Sequence, residues 1–94
     1  MEGALLTHYL VTEENPSGKK LEDVLAMIRK DILFRCTLIT DDPRVEAKSV
    51  LANNMRILNL LTDAIVLGED STNTLDKAFG PSQASKGGPP RIGT

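Results

Sequence analysis

Apolar residues between positions 20 and 39 recur at intervals of three and four, which is the spacing of one face of an α-helix. Acidic side chains at Glu22 and Asp23 lie in the first turn, where the helix dipole favours negative charge. The pattern therefore predicts a helix over about 20–39. Its apolar face, including the positions that widen it, consists of Leu21, Val24, Leu25, Met27, Ile28, Ile32, Phe34, Cys36, Leu38 and Ile39.

A second helix is predicted to begin at Asp42 and Pro43. Aspartate is a favoured N-cap residue, and proline is well tolerated at the first helical position because its missing N–H is not needed there. The apolar pattern continues to Leu67, after which Gly68 offers the left-handed conformation of a helix C-cap. We therefore predict a helix over about 43–67 that folds back on the first as an antiparallel hairpin.

The second helix carries two neighbouring apolar seams, each with residues spaced mainly three and four apart. Two seams require two partners. We expect the first seam to face the other helix of the hairpin and the second seam to form the dimer interface. The first seam comprises Ala47, Leu51, Asn54, Leu58, Leu61 and Ile65, and the second seam comprises Val50, Ile57, Leu60, Ala64 and Leu67.

The predicted hairpin has more apolar surface than two helices hide by packing on each other. A surface helix needs an apolar stripe about 100° wide, and both helices exceed that width. Each large side chain left in water forgoes roughly 1.5–3 kcal/mol of transfer free energy. We therefore predict an all-α fold in which two hairpins form a four-helix bundle as a homodimer. A different protein that supplies the missing helices is the alternative partner.

Asn54 interrupts the first seam where leucine would be expected. A buried amide must find a hydrogen-bonding partner or destabilise the core. Buried asparagine at such a seam specifies register and oligomeric state in coiled coils, which makes Asn54 the candidate for that role. The alternative is that a small rotation of the helix leaves Asn54 at the edge, in water beside Asn53.

The segments on either side of the hairpin are less informative. The pattern of 4–11 is compatible with a short strand or a short helix. After a polar connection, 74–79 are predicted to form a short C-terminal helix. We predict a single helical domain over 1–80, in which 1–19 form the N-terminal segment and loop. The remainder, 81–94, has one large apolar residue and is predicted to be disordered.

Composition and charge narrow the range of partners. The formal net charge is −2, and Lys and Arg are scattered, so we expect no wide electropositive surface and no nucleic acid partner. The single cysteine, Cys36, excludes a disulfide within the chain. No stretch has the ~20 consecutive apolar residues of a transmembrane helix, and the N-terminus lacks the features of a secretory signal. We expect a cytoplasmic protein that meets no membrane.

Candidate chemistry is sparse. Arg35 and Arg56 are the candidates for an anion-binding pocket between the helices, whereas the competing interpretation of Arg35 is a structural ion pair with Asp31. The single histidine, His8, has no nucleophile or carboxylate brought to it by the local sequence. Metal and cofactor motifs are absent from the sequence. We therefore predict no enzyme activity, no cofactor and no metal, with an enzyme using the anion pocket as an alternative.

These patterns favour a small non-enzymatic interaction protein, such as a regulator, adaptor or assembly factor. It would act by self-association and by binding another macromolecule, which we expect to be a protein of unknown identity. A β-α-α dimer of the ribbon-helix-helix type, a DNA-binding transcriptional regulator, is the alternative. In that fold 4–11 would be the strand that enters the major groove, with Thr7, His8 and Tyr9 as candidate contacts.

Overall fold

A computed structural model of the chain describes residues 8–94. Two helices pack antiparallel as a hairpin, α1 over Leu21–Ile39 and α2 over Val45–Phe79, and a short 3-10 helix follows at Ala84–Lys86. No strand forms within 8–94. The predicted all-α hairpin is therefore confirmed, with α1 beginning and ending within one residue of the expected bounds.

The turn between the helices is held by Asp42. Its Oδ1 accepts a hydrogen bond from the backbone N–H of Arg44 at 3.0 Å, and the Arg44 guanidinium binds the same carboxylate through Nε at 2.9 Å. α2 begins at Val45, two residues later than predicted, with Arg44 as its N-cap residue. The predicted role of Asp42 is wrong because its carboxylate stabilises the turn before the helix instead of capping its first turn.

The same contacts lower the pKa of Asp42 from 3.8 to about 2, chiefly through the side-chain hydrogen bond from Arg44. A lowered folded-state pKa means that the contribution to stability is present above about pH 4 and is lost as the pH falls towards 2. We expect Asp42→Asn to lose this part of the pH dependence. The free energy of unfolding in urea, measured for both chains between pH 6 and pH 2, tests this prediction. Equal pH profiles would contradict it.

Asp41→Asn provides the matched control for this experiment. Asp41 is the neighbouring exposed carboxylate, and no hydrogen bond to its side chain is formed within 8–94. The substitution removes the same charge from the same turn without removing the contact with Arg44. We therefore expect Asp41→Asn to keep the acid-induced loss of stability that Asp42→Asn lacks.

The second helix does not end at Gly68. It continues without a break to Phe79, so the predicted polar connection and the separate helix over 74–79 are both wrong. Gly68 is buried against α1, and a Cβ added to it would lie 3.2 Å from the Cβ of Glu22. A glycine inside a helix costs about 1 kcal/mol relative to alanine. Here the missing side chain lets the first turn of α1 pack closely on α2, and the helix continues.

The hairpin is a single layer of helices. Its extents are 54 × 35 × 14 Å, and the smallest of these is close to the ~10–12 Å diameter of one helix with its side chains. The radius of gyration is 17.3 Å, compared with about 12 Å for a compact chain of this length. Within 8–94 no large side chain is fully buried. One hairpin therefore has an interface between its helices but no closed core.

The N-terminal segment before α1 forms a loop. Isolated bridges join Leu10 to Lys19 and Thr12 to Asn15, and the Asn15 side chain donates hydrogen bonds to the carbonyls of His8 and Leu10 at 3.0 Å. These contacts make a local turn and no strand. The prediction for 4–11 falls partly on 1–7, which lie outside the described residues, and 8–11 provide no strand for a ribbon-helix-helix fold.

The C-terminal tail turns back along the end of α2. Gly80 ends the helix with a φ of 79°, in the left-handed region that favours glycine. The Arg91 guanidinium donates to Asp76 Oδ1 at 2.6 Å and to the carbonyl of Gly80 at 3.1 Å, and Ala84 is buried. The structure thus gives the tail a defined path, while the disorder expected for 81–94 stays a prediction for the chain in solution.

Candidate docking face and cleft

The first seam lies between the two helices. Ala47, Asn54 and Leu58 are buried, and the remaining members of the seam are half-buried. Two polar contacts fix the register of the helices: Thr72 Oγ1 donates to Glu22 Oε2 at 2.7 Å, and Arg29 Nε donates to Thr62 Oγ1 at 2.9 Å. The first seam therefore faces α1 as expected.

The second seam is largely exposed. Because each residue advances an α-helix by about 100°, these side chains lie on one side of the hairpin, the side that also carries Ile28 and Leu38 of α1. Leu33 of α1 and Val66 of α2 line the same cavity on the opposite side of the hairpin. This shared cavity shows which faces of the two helices lie on the same side. The second seam consists of Val50, Ile57, Leu60 and Leu67, which are exposed, and Ala64, which is half-buried.

Asn54 is buried, with 7% of its surface exposed, and its side-chain Nδ2 has no hydrogen-bond partner within 8–94. The alternative position at the edge of the helix, in water, is therefore wrong. The register set by the interhelical contacts places Asn54 close to the level of Cys36, which is half-buried. An unpaired buried amide donor costs about 1–3 kcal/mol. The role of Asn54 in specifying register stays a prediction.

We expect Asn54→Leu to raise the free energy of unfolding by about 1–2 kcal/mol, because it removes the unpaired donor from an aliphatic seam. If Asn54 specifies register, the same substitution also broadens the distribution of assembled species in sedimentation velocity. Asn53→Leu is the control: Asn53 is exposed, so a change within ~0.5 kcal/mol is expected. A destabilised Asn54→Leu chain in urea unfolding would contradict the prediction.

The predicted anion pocket has no support in the structure. Arg35 and Arg56 are both exposed, and neither lines the two cavities found along the helices. Arg56 follows the buried Asn54 by two residues, so helix geometry turns it to the far side of α2. The expected ion pair between Asp31 and Arg35 is not formed within 8–94. The anion pocket and the enzyme alternative built on it stay predictions.

A cleft of about 660 Å³ lies at the open end of the hairpin, where α2 extends beyond the start of α1. The two helices, the N-terminal loop and the C-terminal tail all contribute to its lining. Glu22 lies in that lining with 9% of its surface exposed, and its hydrogen bond from Thr72 crosses the helix interface. The cleft thus brings a carboxylate with one hydrogen bond next to an apolar space.

The burial of Glu22 was not predicted, because a second helix that ends at Gly68 leaves nothing opposite the first turn of α1. The continuation of α2 places Thr72 at hydrogen-bonding distance from Glu22. The available signal was the pair of Gly68 and Thr72, a small residue followed one helical turn later by a hydroxyl.

Length and composition alone would allow α2 to cross a membrane, since Val45–Phe79 is long and apolar enough over part of its length. These two measures do not separate a spanning helix from an amphipathic one. The middle of α2 contains Asn59, Thr62 and Asp63, and a charged side chain at the centre of a bilayer costs about 2.5–3.5 kcal/mol on insertion scales. The expectation that the chain meets no membrane stays a prediction.

Within 8–94, no group of three or more His, Cys, Asp or Glu side chains is placed to hold a metal ion. No protein-family model matches the chain, and no curated protein or solved structure is significantly similar to it. Two features of the described hairpin bear on its function, the exposed second seam and the cleft around Glu22.

Proposed function

We propose that this chain is a small, non-enzymatic interaction protein that associates with itself as a two-fold dimer and binds another macromolecule. The observation that carries the proposal is the exposure of the second seam on a hairpin only one helix thick. In the dimer, the second seams of two hairpins pack on each other and close a four-helix bundle. Each hairpin then gains the apolar layer that it lacks alone.

The surface area supports a second copy as the occupant of this face. The chain exposes 7263 Å², whereas a compact monomer of 10.2 kDa exposes about 5300 Å². The excess is about 1900 Å² for each chain, or roughly 3900 Å² for two. Obligate homodimers bury about 2000–5000 Å² in total, so the excess area matches what such a dimer removes from water.

Apolar side chains outside the second seam support the additional binding of a different protein. Phe34, Met55 and Val66 are all more than half exposed, and the register of the hairpin places them away from the proposed dimer face. Large aromatic and methionine side chains are enriched in the centres of protein interfaces. A regulator, adaptor or assembly factor that exposes this second surface as a dimer is the function that we propose.

Sedimentation equilibrium of the full chain at micromolar concentration tests the proposal. We expect a dimer whose dissociation is coupled to loss of helix content, since the isolated hairpin has no closed core. A stable, well-folded monomer would overturn the proposal. Flotation with neutral phospholipid vesicles is run in parallel, and a monomer that floats with the vesicles would show that lipid covers the seam instead of a second copy.

A further inference from the structure

We propose that the cleft at the open end of the hairpin binds a small ligand with an aliphatic body and one terminal ammonium group. The ammonium would pair with Glu22, and the aliphatic body would lie along the apolar part of the lining. The site is formed within one chain and does not require the proposed dimer, although Ala64 and Leu67 belong both to its lining and to the second seam. It assigns a binding function to a carboxylate whose second oxygen receives no hydrogen bond within 8–94.

The hydrogen bonds of Glu22 indicate the charge of the ligand. Thr72 donates to Oε2 at 2.7 Å, while no donor within 8–94 binds Oε1 and no Lys or Arg nitrogen lies within ion-pair distance of the carboxylate. Oε1 is not sealed off from water, so a ligand that enters the cleft can reach it. An ammonium supplies up to three N–H donors and the opposite charge.

The lining of the cleft indicates that the body of the ligand is aliphatic. The walls are mainly aliphatic, with leucines from the N-terminal loop and from both helices and one isoleucine from the tail. The volume of about 660 Å³ lies within the roughly 300–1000 Å³ of small-molecule sites. The aliphatic side chains include Leu10, Leu21, Leu25, Leu67, Leu75 and Ile92.

The lining of the cleft also contains three positive side chains, Lys19, Lys20 and Arg91. Arg91 is committed to Asp76 and to the carbonyl of Gly80. Lys19 and Lys20 are exposed, so water screens their charges. The cleft thus contains one carboxylate oxygen without a donor from the described chain, while its cations are paired or exposed to water.

Titration of the ¹⁵N-labelled full chain with n-octylammonium chloride tests the proposal, with sodium octanoate as the probe of equal length and opposite charge. We expect saturable shifts at the amides of Glu22, Gly68 and Thr72 and at least about tenfold tighter binding of octylammonium, the range of a hydrogen bond to a charged group. Sedimentation of the same samples shows separately whether the chain is dimeric.

Glu22→Gln tests the role of the carboxylate, because glutamine keeps an acceptor for Thr72 and loses the charge. We expect it to weaken octylammonium binding by about tenfold or more and to leave octanoate binding unchanged. Asp23→Asn removes an exposed charge from the same turn and should change neither. Equal binding of the two probes by the native chain, no saturable binding of octylammonium, or unchanged binding by a folded Glu22→Gln chain would overturn the proposal.

Discussion

Replacing Leu58 by Asp is expected to unfold the chain. Leu58 has 8% of its surface exposed and is the largest apolar side chain buried between α1 and α2. The substitution removes roughly 1.5–3 kcal/mol of transfer free energy and places a carboxylate in an aliphatic seam. The combined loss exceeds about 4 kcal/mol, and a core of this size rarely supplies more than ~3–5 kcal/mol. Far-UV circular dichroism at 25 °C measures the loss of helix.

Asn59→Asp separates the effect of burial from the effect of charge. Asn59 is the next residue of α2, it is exposed, and its side chain has nearly the shape of aspartate. We expect this control to change the free energy of unfolding by no more than ~0.5 kcal/mol. Leu58→Asp with native helix content would show that the first seam does not hold the hairpin together.

The hairpin was predictable from sequence because its signals are periodic and long. The recurrence of apolar positions over 20–39 specified one helix, and the seam through Leu58 specified the face of the other helix that α1 covers. Periodicity reports which face of a helix is apolar. α2 packs its first seam on α1, whereas five of the ten residues of the predicted apolar face of α1 are exposed. Such a pattern does not state what covers a second apolar face, which is why the dimer remained a prediction.

The end of α2 was not predictable from the same signals. Gly68 has two opposite meanings in a sequence, since it ends a helix by adopting a positive φ or lets another helix approach closely. The second meaning applies here, because the backbone of α1 passes the position at Glu22. Only the tertiary contact separates these meanings. The cleft, the burial of Glu22 and its hydrogen bond from Thr72 all follow from that contact.

Leu60→Asp is expected to dissociate the dimer, and its effect distinguishes an assembled bundle from an isolated hairpin. Leu60 is 60% exposed in one chain, so a monomeric protein would tolerate the charge with little change in stability. In the proposed bundle the same side chain lies in the seam between two subunits, where two copies of the new carboxylate would face an aliphatic surface without a cation. We expect at least about a hundredfold rise in the dimer dissociation constant, measured by sedimentation equilibrium.

Met55→Asp is the matched substitution on the other side of α2. Met55 is 56% exposed, and five residues of helix place it about 140° around the axis from Leu60. The same charge is thus introduced at the same exposure and in the same helix, but away from the second seam. We expect Met55→Asp to leave the dimer dissociation constant within about threefold of the native value. If both variants dissociate equally, or neither does, the second seam is not the surface on which two copies meet.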